Sequence, residues 1–293
     1  MDFVHQTTLF TLHIRKWSGK VMAEDADYNP AGELPPAKLL ERGRKPIFPP
    51  KALTVFDALR KQAETVLLEK GVRHMKGYAV HNDYRDEAVT KLTQIQSKYN
   101  ESLEAVITNF DAYRREWLDQ NREFEKVIDR YISKESVRDR FSFEFYLSQI
   151  EPIPGFEMPQ EKISNQVLHE VGQLCKLEAD RLVERKGLIK GEELRNKLNP
   201  MIEKLDILSF GDSRVLKLLS EFKILQAAIP QEPNESMPSA VITFLSTCSS
   251  ASRLESVITG NFSVSDMLIG MDVNSVAKAA QQQSTLAHVG AYF

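Results

Sequence analysis

The sequence predicts a mainly α protein with a small β element, built from a long antiparallel helical hairpin or coiled coil and a C-terminal helical bundle. Two observations lead to this prediction. Residues 84–133 contain no proline and no glycine, and their large apolar side chains recur at alternating steps of three and four residues. Helical spacing of apolar residues returns after residue 160, whereas strand-like alternation is confined to short stretches.

The first predicted element is a strand over residues 6–16. Phe10, Leu12 and Ile14 alternate there with polar residues, and a period of two is typical of a strand with one buried face. Residues 26–50 are rich in proline, which lacks an amide donor and restricts φ. We therefore expect an extended or turn-rich connector in this region.

A helix and a second strand follow the connector. Residues 51–70 place their apolar side chains on one helical face, and Gly71 stands where a C-terminal cap belongs. Residues 72–81 then predict a loop with a short strand, which is able to pair with the strand at 6–16.

The longest predicted helix spans residues 84–133. Its apolar side chains form a heptad seam, which consists of Leu103, Val106, Phe110, Tyr113, Trp117, Phe124, Val127 and Tyr131. At about 1.5 Å per residue this helix would be roughly 70 Å long, more than the diameter of a small domain. An antiparallel neighbour or a second chain is therefore needed to cover the seam. We predict Phe110, Tyr113, Trp117 and Phe124 as the partner interface.

The chain is predicted to divide near residue 150. Phenylalanines alternate with polar residues over 141–145, which indicates a strand, and residues 150–159 are rich in proline with one glycine. We therefore predict an N-terminal part, residues 1–150, with the strand, the connector and the helical hairpin. Residues 151–293 form the predicted C-terminal helical bundle with a polar tail.

Apolar spacing in the C-terminal part predicts successive helices. One covers residues 161–186, a second carries the leucines between 194 and 205, and a third begins at Asp212, a favoured N-cap residue. Shorter helices follow residue 238. The polar stretch at 279–284 predicts a tail that is disordered or folds on a partner.

Composition excludes several classes of protein. A hydrophobic fraction of 42% and a net charge of −3 are typical of a globular chain and leave no overall basic excess for nucleic acid. No apolar run approaches the roughly 20 residues of a membrane span, and the N-terminus lacks a secretory signal pattern. A cytoplasmic location is therefore expected. Cys175 and Cys248, far apart in sequence, are expected to be small buried apolar residues.

The sequence contains no readable catalytic, cofactor or metal motif. The histidines have no metal-ligand spacing, and there is no Cys-x-x-Cys, no phosphate-binding glycine loop and no Gly-x-Ser-x-Gly elbow. The sequence therefore predicts a non-catalytic protein without cofactor or metal. Carboxylates that meet only in space remain an alternative, since their pairing leaves no local signature.

Two clusters combine basic and aromatic residues. Arg15 and Lys16 precede Trp17, and Arg138 and Arg140 precede the alternating phenylalanines. One interpretation is contact with nucleic acid, in which Trp17 stacks on a base. The alternative is structural: Trp17 closes the core at the end of a strand, and the phenylalanines belong to a sheet.

Several stretches resemble one uncharacterised family. They are residues 14–19, 71–73 with 77–80, and 140–143, and they surround a long charged helix. Their order and spacing are similar to the family known as domain of unknown function three-one-five-zero, roughly over residues 7–150. Members are typically encoded on phages, plasmids and integrative elements, beside a MoxR- or CobS-like AAA+ ATPase and a CobT-like von Willebrand A protein. The resemblance implies a mobile-element protein with an AAA+ ATPase as partner, and implies no activity.

Three functional hypotheses follow. The first is a non-catalytic interaction or scaffold protein of a phage or mobile genetic element in the bacterial host cytoplasm. It would be an adaptor for the MoxR-type AAA+ ATPase, or would form oligomers through its long helix. The second is a nucleic-acid-binding accessory of a replication, recombination or defence module, with Arg15, Lys16, Trp17, Arg138 and Arg140 as contacts. The third is an enzyme without a sequence signature.

Overall fold

The computed structural model describes most of the chain. The described residues are 6–24, 27, 43–149, 160–185, 189–230 and 236–270. Within them the fold is mainly α with a small antiparallel β element, as predicted for the fold class at this level. No helix in this part of the chain is both long and apolar enough to cross a membrane. Most of the predicted connector, the break at 150–159 and the tail at 279–284 lie outside the described residues.

The β element consists of two antiparallel sheets. The strands are β1 (Thr7–Arg15), β2 (Lys20–Met22), β3 (Arg44–Pro46), β4 (Gly71–His74), β5 (Gly77–His81) and β6 (Ser142–Gln149). Four of them lie in the order β4-β5-β1-β6, and β2 pairs with β3. Phe10 in β1 lies opposite Tyr78 in β5 and Leu147 in β6. The strands predicted at 6–16, within 72–81 and at 141–145 are therefore confirmed, as is the pairing of the first two.

Helices make up most of the remaining described chain. They are α1 (Thr54–Glu69), α2 (Arg85–Thr108), α3 (Phe110–Gln120), α4 (Glu125–Ile128), α5 (Lys134–Arg138), α6 (Gln160–Glu184), α7 (Gly191–Ile207), α8 (Ser213–Ala228), α9 (Met237–Ser249) and α10 (Ala251–Ile258). Residues 264–270 form one more helical segment. Single 3-10 turns lie at Pro50–Leu53, Asn82–Tyr84 and Arg122–Phe124.

The prediction of one continuous helix over residues 84–133 is wrong in its second half. Asn109 interrupts the helix between α2 and α3, and the chain leaves the helical conformation at Asn121, where φ is −134° and ψ is 37°. Each of these asparagine side chains donates a hydrogen bond of 2.8 Å to the carbonyl four residues earlier. Such side-chain bonds compete with the backbone ladder. Tyr131 consequently lies outside any helix and is 81% exposed.

The first half of the chain encloses one hydrophobic core. Near the start of α1 the Phe56 ring lies 4.9 Å from that of Tyr99, late in α2. Near the end of α1, Glu69 pairs with Lys91, early in α2, at 3.6 Å between Oε2 and Nζ. The two helices therefore run antiparallel. The largest fully buried side chains of this core are Tyr99, Phe10, Phe48, Phe56 and Phe110.

The C-terminal helices enclose a second core. It contains buried side chains from α6 to α10, and also Val72 of β4 and Ala79 of β5. The sheet therefore contributes to both cores. Asp212 caps α8 as predicted, because its carboxylate accepts the amide of Arg214 at 2.9 Å. Burial alone would raise the pKa of Asp212, but hydrogen bonds from the side chain and amide of Arg214 outweigh it and hold that pKa at about 2.

Gly71 has a different role from the predicted helix cap. Lys70 is the C-terminal cap residue of α1, and Gly71 begins β4. A Cβ at position 71 would lie 2.6 Å from the carbonyl oxygens of Leu67 and of Ala79. Glycine is required here because two backbone segments approach it closely.

A buried ion pair joins the C-terminal helices to the sheet. Lys204 of α7 is 3% exposed, and its Nζ lies 2.7 Å from Oε2 of Glu170 in α6. The same Nζ donates to the carbonyls of Leu68 and Gly71, at 2.9 Å each. The other carboxylate oxygen of Glu170 accepts the amide of Arg73 at 2.9 Å. The pair thus satisfies backbone groups where α1 ends and β4 begins.

Replacing Lys204 by Met tests this junction. The substitution leaves the Glu170 carboxylate and two carbonyl groups without their cation, so we expect a loss of about 3–5 kcal/mol in the free energy of unfolding. Urea denaturation followed by circular dichroism measures it. The control is Lys223→Met, whose partner Asp206 lies 3.1 Å away with both side chains more than half exposed. The control should lose less than about 1 kcal/mol; equal losses would contradict the proposed role of Lys204.

Candidate functional site

An open cavity lies where three elements of the first half meet. It has a volume of about 560 Å³ and lies between the end of β1, the first turns of α1 and the turn that leads into β6. Its lining consists of Ile14, Arg15, Lys16, Trp17, Ser18, Phe56, Asp57, Arg60, Asp139 and Arg140. Four cationic and two anionic side chains give the lining a formal charge of +2.

The register of the sheet brings two of the arginines together. Arg15, the last residue of β1, lies opposite Ser142, the first residue of β6, and its Nε donates to Ser142 Oγ at 2.9 Å. Arg140 precedes Ser142 by two residues, in a turn closed by its own amide bonding to the carbonyl of Val137 at 3.0 Å. Antiparallel pairing therefore places Arg15 and Arg140 at the same end of the sheet.

Tyr99 holds the end of β1 under the cavity. Its hydroxyl donates to the carbonyl of Arg15, and its ring lies 4.9 Å from Phe56 and 5.5 Å from Phe143. Burial raises the pKa of Tyr99 to about 12. The hydroxyl consequently remains protonated, and so a donor to the Arg15 carbonyl, at alkaline pH values where an ordinary tyrosine ionises.

The cations of the lining differ in their partners. Lys16 forms an ion pair with Asp57, and Arg60 lies 3.2 Å from Glu64, measured from Nε to Oε1. Within the described chain, neither Arg15 nor Arg140 forms an ion pair with a carboxylate. These two guanidinium groups therefore retain donors that an anion entering the cavity can accept.

Only some of the predicted nucleic-acid contacts are placed where they could bind a strand. Arg15, Lys16 and Arg140 do line one cavity together with Trp17. Trp17 is only 2% exposed, however, and its ring lies 5.3 Å from that of Phe48. Base stacking by Trp17 is therefore wrong, and its structural interpretation as a core residue at the end of a strand is confirmed.

Arg138 is the one predicted contact that does not line the cavity. Its guanidinium forms a two-point pair with Glu104 of α2, with Nη2 lying 2.8 Å from Oε2. This pair attaches α5 to α2 on the surface. Arg138 therefore has a structural partner, although it precedes Arg140 by only two residues.

The predicted partner interface is largely covered by the chain itself. Phe110 is 2% exposed and stacks on Phe48, with 5.1 Å between ring centroids. Tyr113 meets the same ring edge-on at 5.8 Å. Phe110 is consequently a core residue and not a partner contact, because the segment after β3 packs on the seam.

The end of the seam also contacts its own chain. The indole Nε1 of Trp117 donates to the carbonyl of Pro46 at 3.3 Å. Phe124 packs against a small cluster formed by Val127 and Ile128. Trp117 and Phe124 are half-buried. The backbone bends after Gln120 and so covers part of the apolar surface that a straight helix would expose.

Three residues of the cavity have no signal in the sequence. Asp57 and Arg60 lie on the exposed side of α1, and Asp139 lies in the turn before β6. Their spacing is that of ordinary solvated helix and turn residues. Only the packing of α1 beside the end of β1 brings them to the cavity. Among the residues that the structure describes, no group of three or more His, Cys, Asp or Glu side chains could hold a metal ion.

Comparison with models of known protein families gives a match. The model of a family described as "Protein of unknown function (DUF3150)" matches residues 4–240, which is more than half of the chain. The resemblance inferred from the short motifs is thereby confirmed and extends well past residue 150. No curated protein and no solved structure matches the chain.

Replacing Tyr99 by Phe tests the support under the cavity. The change removes the bond to the carbonyl of Arg15 and keeps the ring packing, so we expect a loss of about 1 kcal/mol in unfolding free energy. The control is Tyr146→Phe, whose hydroxyl bonds Glu144 at 2.7 Å on the exposed surface. Denaturation midpoints measure both variants. Equal midpoints for the two variants would remove Tyr99 from this role.

Proposed function

Because this chain belongs to the DUF3150 family, whose description assigns no activity, we propose its function from the cavity: it binds a nucleic-acid strand through the phosphates. The observation that carries the proposal is the pair formed by Arg15 and Arg140, which line one open cavity and have no carboxylate partner among the described residues. A guanidinium group bonds phosphate oxygens at two points, and such charge-assisted bonds are stronger than neutral ones.

The shape of the cavity favours a single strand over a duplex. A volume of about 560 Å³ admits a phosphate with part of its nucleotide, but not a double helix. Arg60 lines the same space from α1, and although its Nε pairs with Glu64, we expect it to supply a third cation for the backbone of an extended strand. Release of counterions from the bound strand then contributes to affinity, which falls as the salt concentration rises.

Binding of this kind is independent of base sequence. Trp17 is packed against Phe48 and does not reach a base, so the proposed contacts are made to phosphates. Phosphate contacts position a protein on nucleic acid and carry no direct sequence information. The implied mobile-element setting is compatible with an accessory of a replication, recombination or defence module in the bacterial cytoplasm.

Removing the three arginines tests the proposal. We expect Arg15→Gln with Arg60→Gln and Arg140→Gln to weaken binding of a fluorescent single-stranded oligonucleotide by about 10- to 100-fold at moderate salt. The slope of the logarithm of affinity against the logarithm of salt concentration should fall by about 2, since three phosphate contacts are lost. Fluorescence anisotropy over a series of salt concentrations measures both quantities.

A matched triple variant controls for the change in net charge. Arg115, Lys126 and Arg253 are exposed cations outside the cavity lining, and their replacement by Gln removes the same charge. The control should bind within about twofold of the unchanged protein. Equal loss in both triple variants would mean that binding is non-specific attraction and that the cavity is not the site.

A second candidate function is that of a non-catalytic interaction or scaffold protein, working as an adaptor for a MoxR-type AAA+ ATPase or assembling with itself. The heptad seam, from which this function was predicted, is bent and partly covered by the chain. The support for this candidate therefore comes from the edge of the sheet. β6 is an outer strand of the sheet, and Tyr146 and Leu147 are 52% and 42% exposed. An outer strand offers main-chain groups to which a partner can add a strand.

Replacing Leu147 by Lys tests this second candidate. A lysine on an outer strand opposes addition of another strand, so we expect loss of self-association or of co-purification with the AAA+ ATPase. The control is Leu177→Lys on α6, where the leucine is similarly exposed at 47%. Light scattering after gel filtration measures mass with and without the ATPase. A monomer that never binds the ATPase, with or without the substitution, would end this candidate.

A further inference from the structure

The two cysteines of the chain meet in the second core. Cys175 on α6 and Cys248 on α9 are 0% and 1% exposed, which confirms that both are buried. Both side chains belong to the same core cluster, and Cys175 is one of the groups that raise the pKa of the Cys248 thiol. Because the chain has only these two cysteines, neither has a competing partner within it.

The backbones of α6 and α9 approach closely at this point. A Cβ on Gly172 would lie 3.1 Å from the carbonyl oxygen of Cys248. Cys175 follows Gly172 by three residues and so lies on the same face of α6. A disulfide requires Cα atoms within about 7 Å, and a contact limited by a glycine brings two helices near that separation.

A cavity connects this position with the surface. It has a volume of about 360 Å³, and Gly172 and Cys248 both belong to its lining. Lys176, Arg214 and Glu255 line it as well, and the lining has a formal charge of +1 with histidine neutral. The lining includes Cys248 but not Cys175, so we expect an oxidant that enters the cavity to meet Cys248 first.

We propose that Cys175 and Cys248 form a reversible disulfide between α6 and α9 when the chain meets a low-molecular-weight disulfide of the glutathione type. The Cys248 thiolate attacks one sulfur of the small disulfide, forms a mixed disulfide and releases one thiolate. The Cys175 thiolate then attacks Cys248 Sγ and displaces the second small thiolate. Two cysteine sulfurs are oxidised, the small disulfide gains two electrons, and the two cysteine protons pass to the released thiols.

The environment of Cys248 determines how fast this reaction runs. Burial first, then the neighbouring Cys175 and the carboxylate of Glu221, raise the pKa of the Cys248 thiol well above its usual value. Only the thiolate attacks, so the rate is low at neutral pH and rises about tenfold with each pH unit below that pKa. The dithiol is consequently stable in a reducing cytoplasm and responds to strong or prolonged oxidation.

The test uses the full chain in its reduced form. It is incubated with glutathione disulfide at pH 7, 8 and 9, and free thiols are trapped by alkylation and counted by mass spectrometry. We expect both thiols to disappear together without a retained adduct, faster at each higher pH. The oxidised protein should unfold at a Tm about 10 °C higher, because the closed loop restricts the unfolded chain, and dithiothreitol should reverse the shift.

Two variants separate the steps. Cys175→Ser should retain one glutathione on Cys248, since no second thiol displaces it, whereas Cys248→Ser should react at least tenfold more slowly. The measurement on the unchanged protein does not depend on either variant folding. Two thiols still free in the folded protein at pH 9, under conditions that oxidise the unfolded chain, would overturn the proposal. A disulfide between chains would overturn it equally.

Discussion

The buried pair of Lys204 and Glu170 determines how the C-terminal helices sit on the sheet. Each partner bonds backbone groups of the other half, since Lys204 reaches Leu68 and Gly71 while Glu170 reaches Arg73. A buried charge is tolerated only when it is paired and hydrogen-bonded, so the arrangement permits little sliding between the halves. The sheet becomes a shared layer, and its two faces complete two cores.

The candidate site depends on that same sheet. Arg15 and Arg140 become neighbours because β1 and β6 pair with a register that puts Arg15 opposite Ser142. Tyr99 then fixes the end of β1 from below through a hydroxyl whose raised pKa keeps it protonated. The cavity is therefore a consequence of strand register and helix packing, and its positive charge comes from three separate segments of the chain.

The heptad seam is a correctly identified apolar pattern from which the continuity of the helix was wrongly predicted. Its apolar residues do pack on one side, but Phe110 meets Phe48 of its own chain, and Asn121 ends the helix before Phe124. An asparagine side chain can replace a backbone partner, so it stops a helix without any proline or glycine. The apolar spacing alone could not distinguish a straight rod from a helix that bends back onto its own core.

Local sequence by itself determined that the fold is mainly α with a small β element, the two strands at 6–16 and 141–145 found by alternation, and the Asp212 cap, because these follow from side-chain periodicity and hydrogen bonding within a few residues. It also singled out Arg15, Lys16 and Arg140. Only the tertiary structure decided that Trp17 is buried, that Arg138 belongs to Glu104, and that Arg60 joins the cavity. The packing of α6 against α9 likewise places Cys175 and Cys248 in one core. Contacts between distant segments depend on packing and register, which leave no pattern in the local sequence.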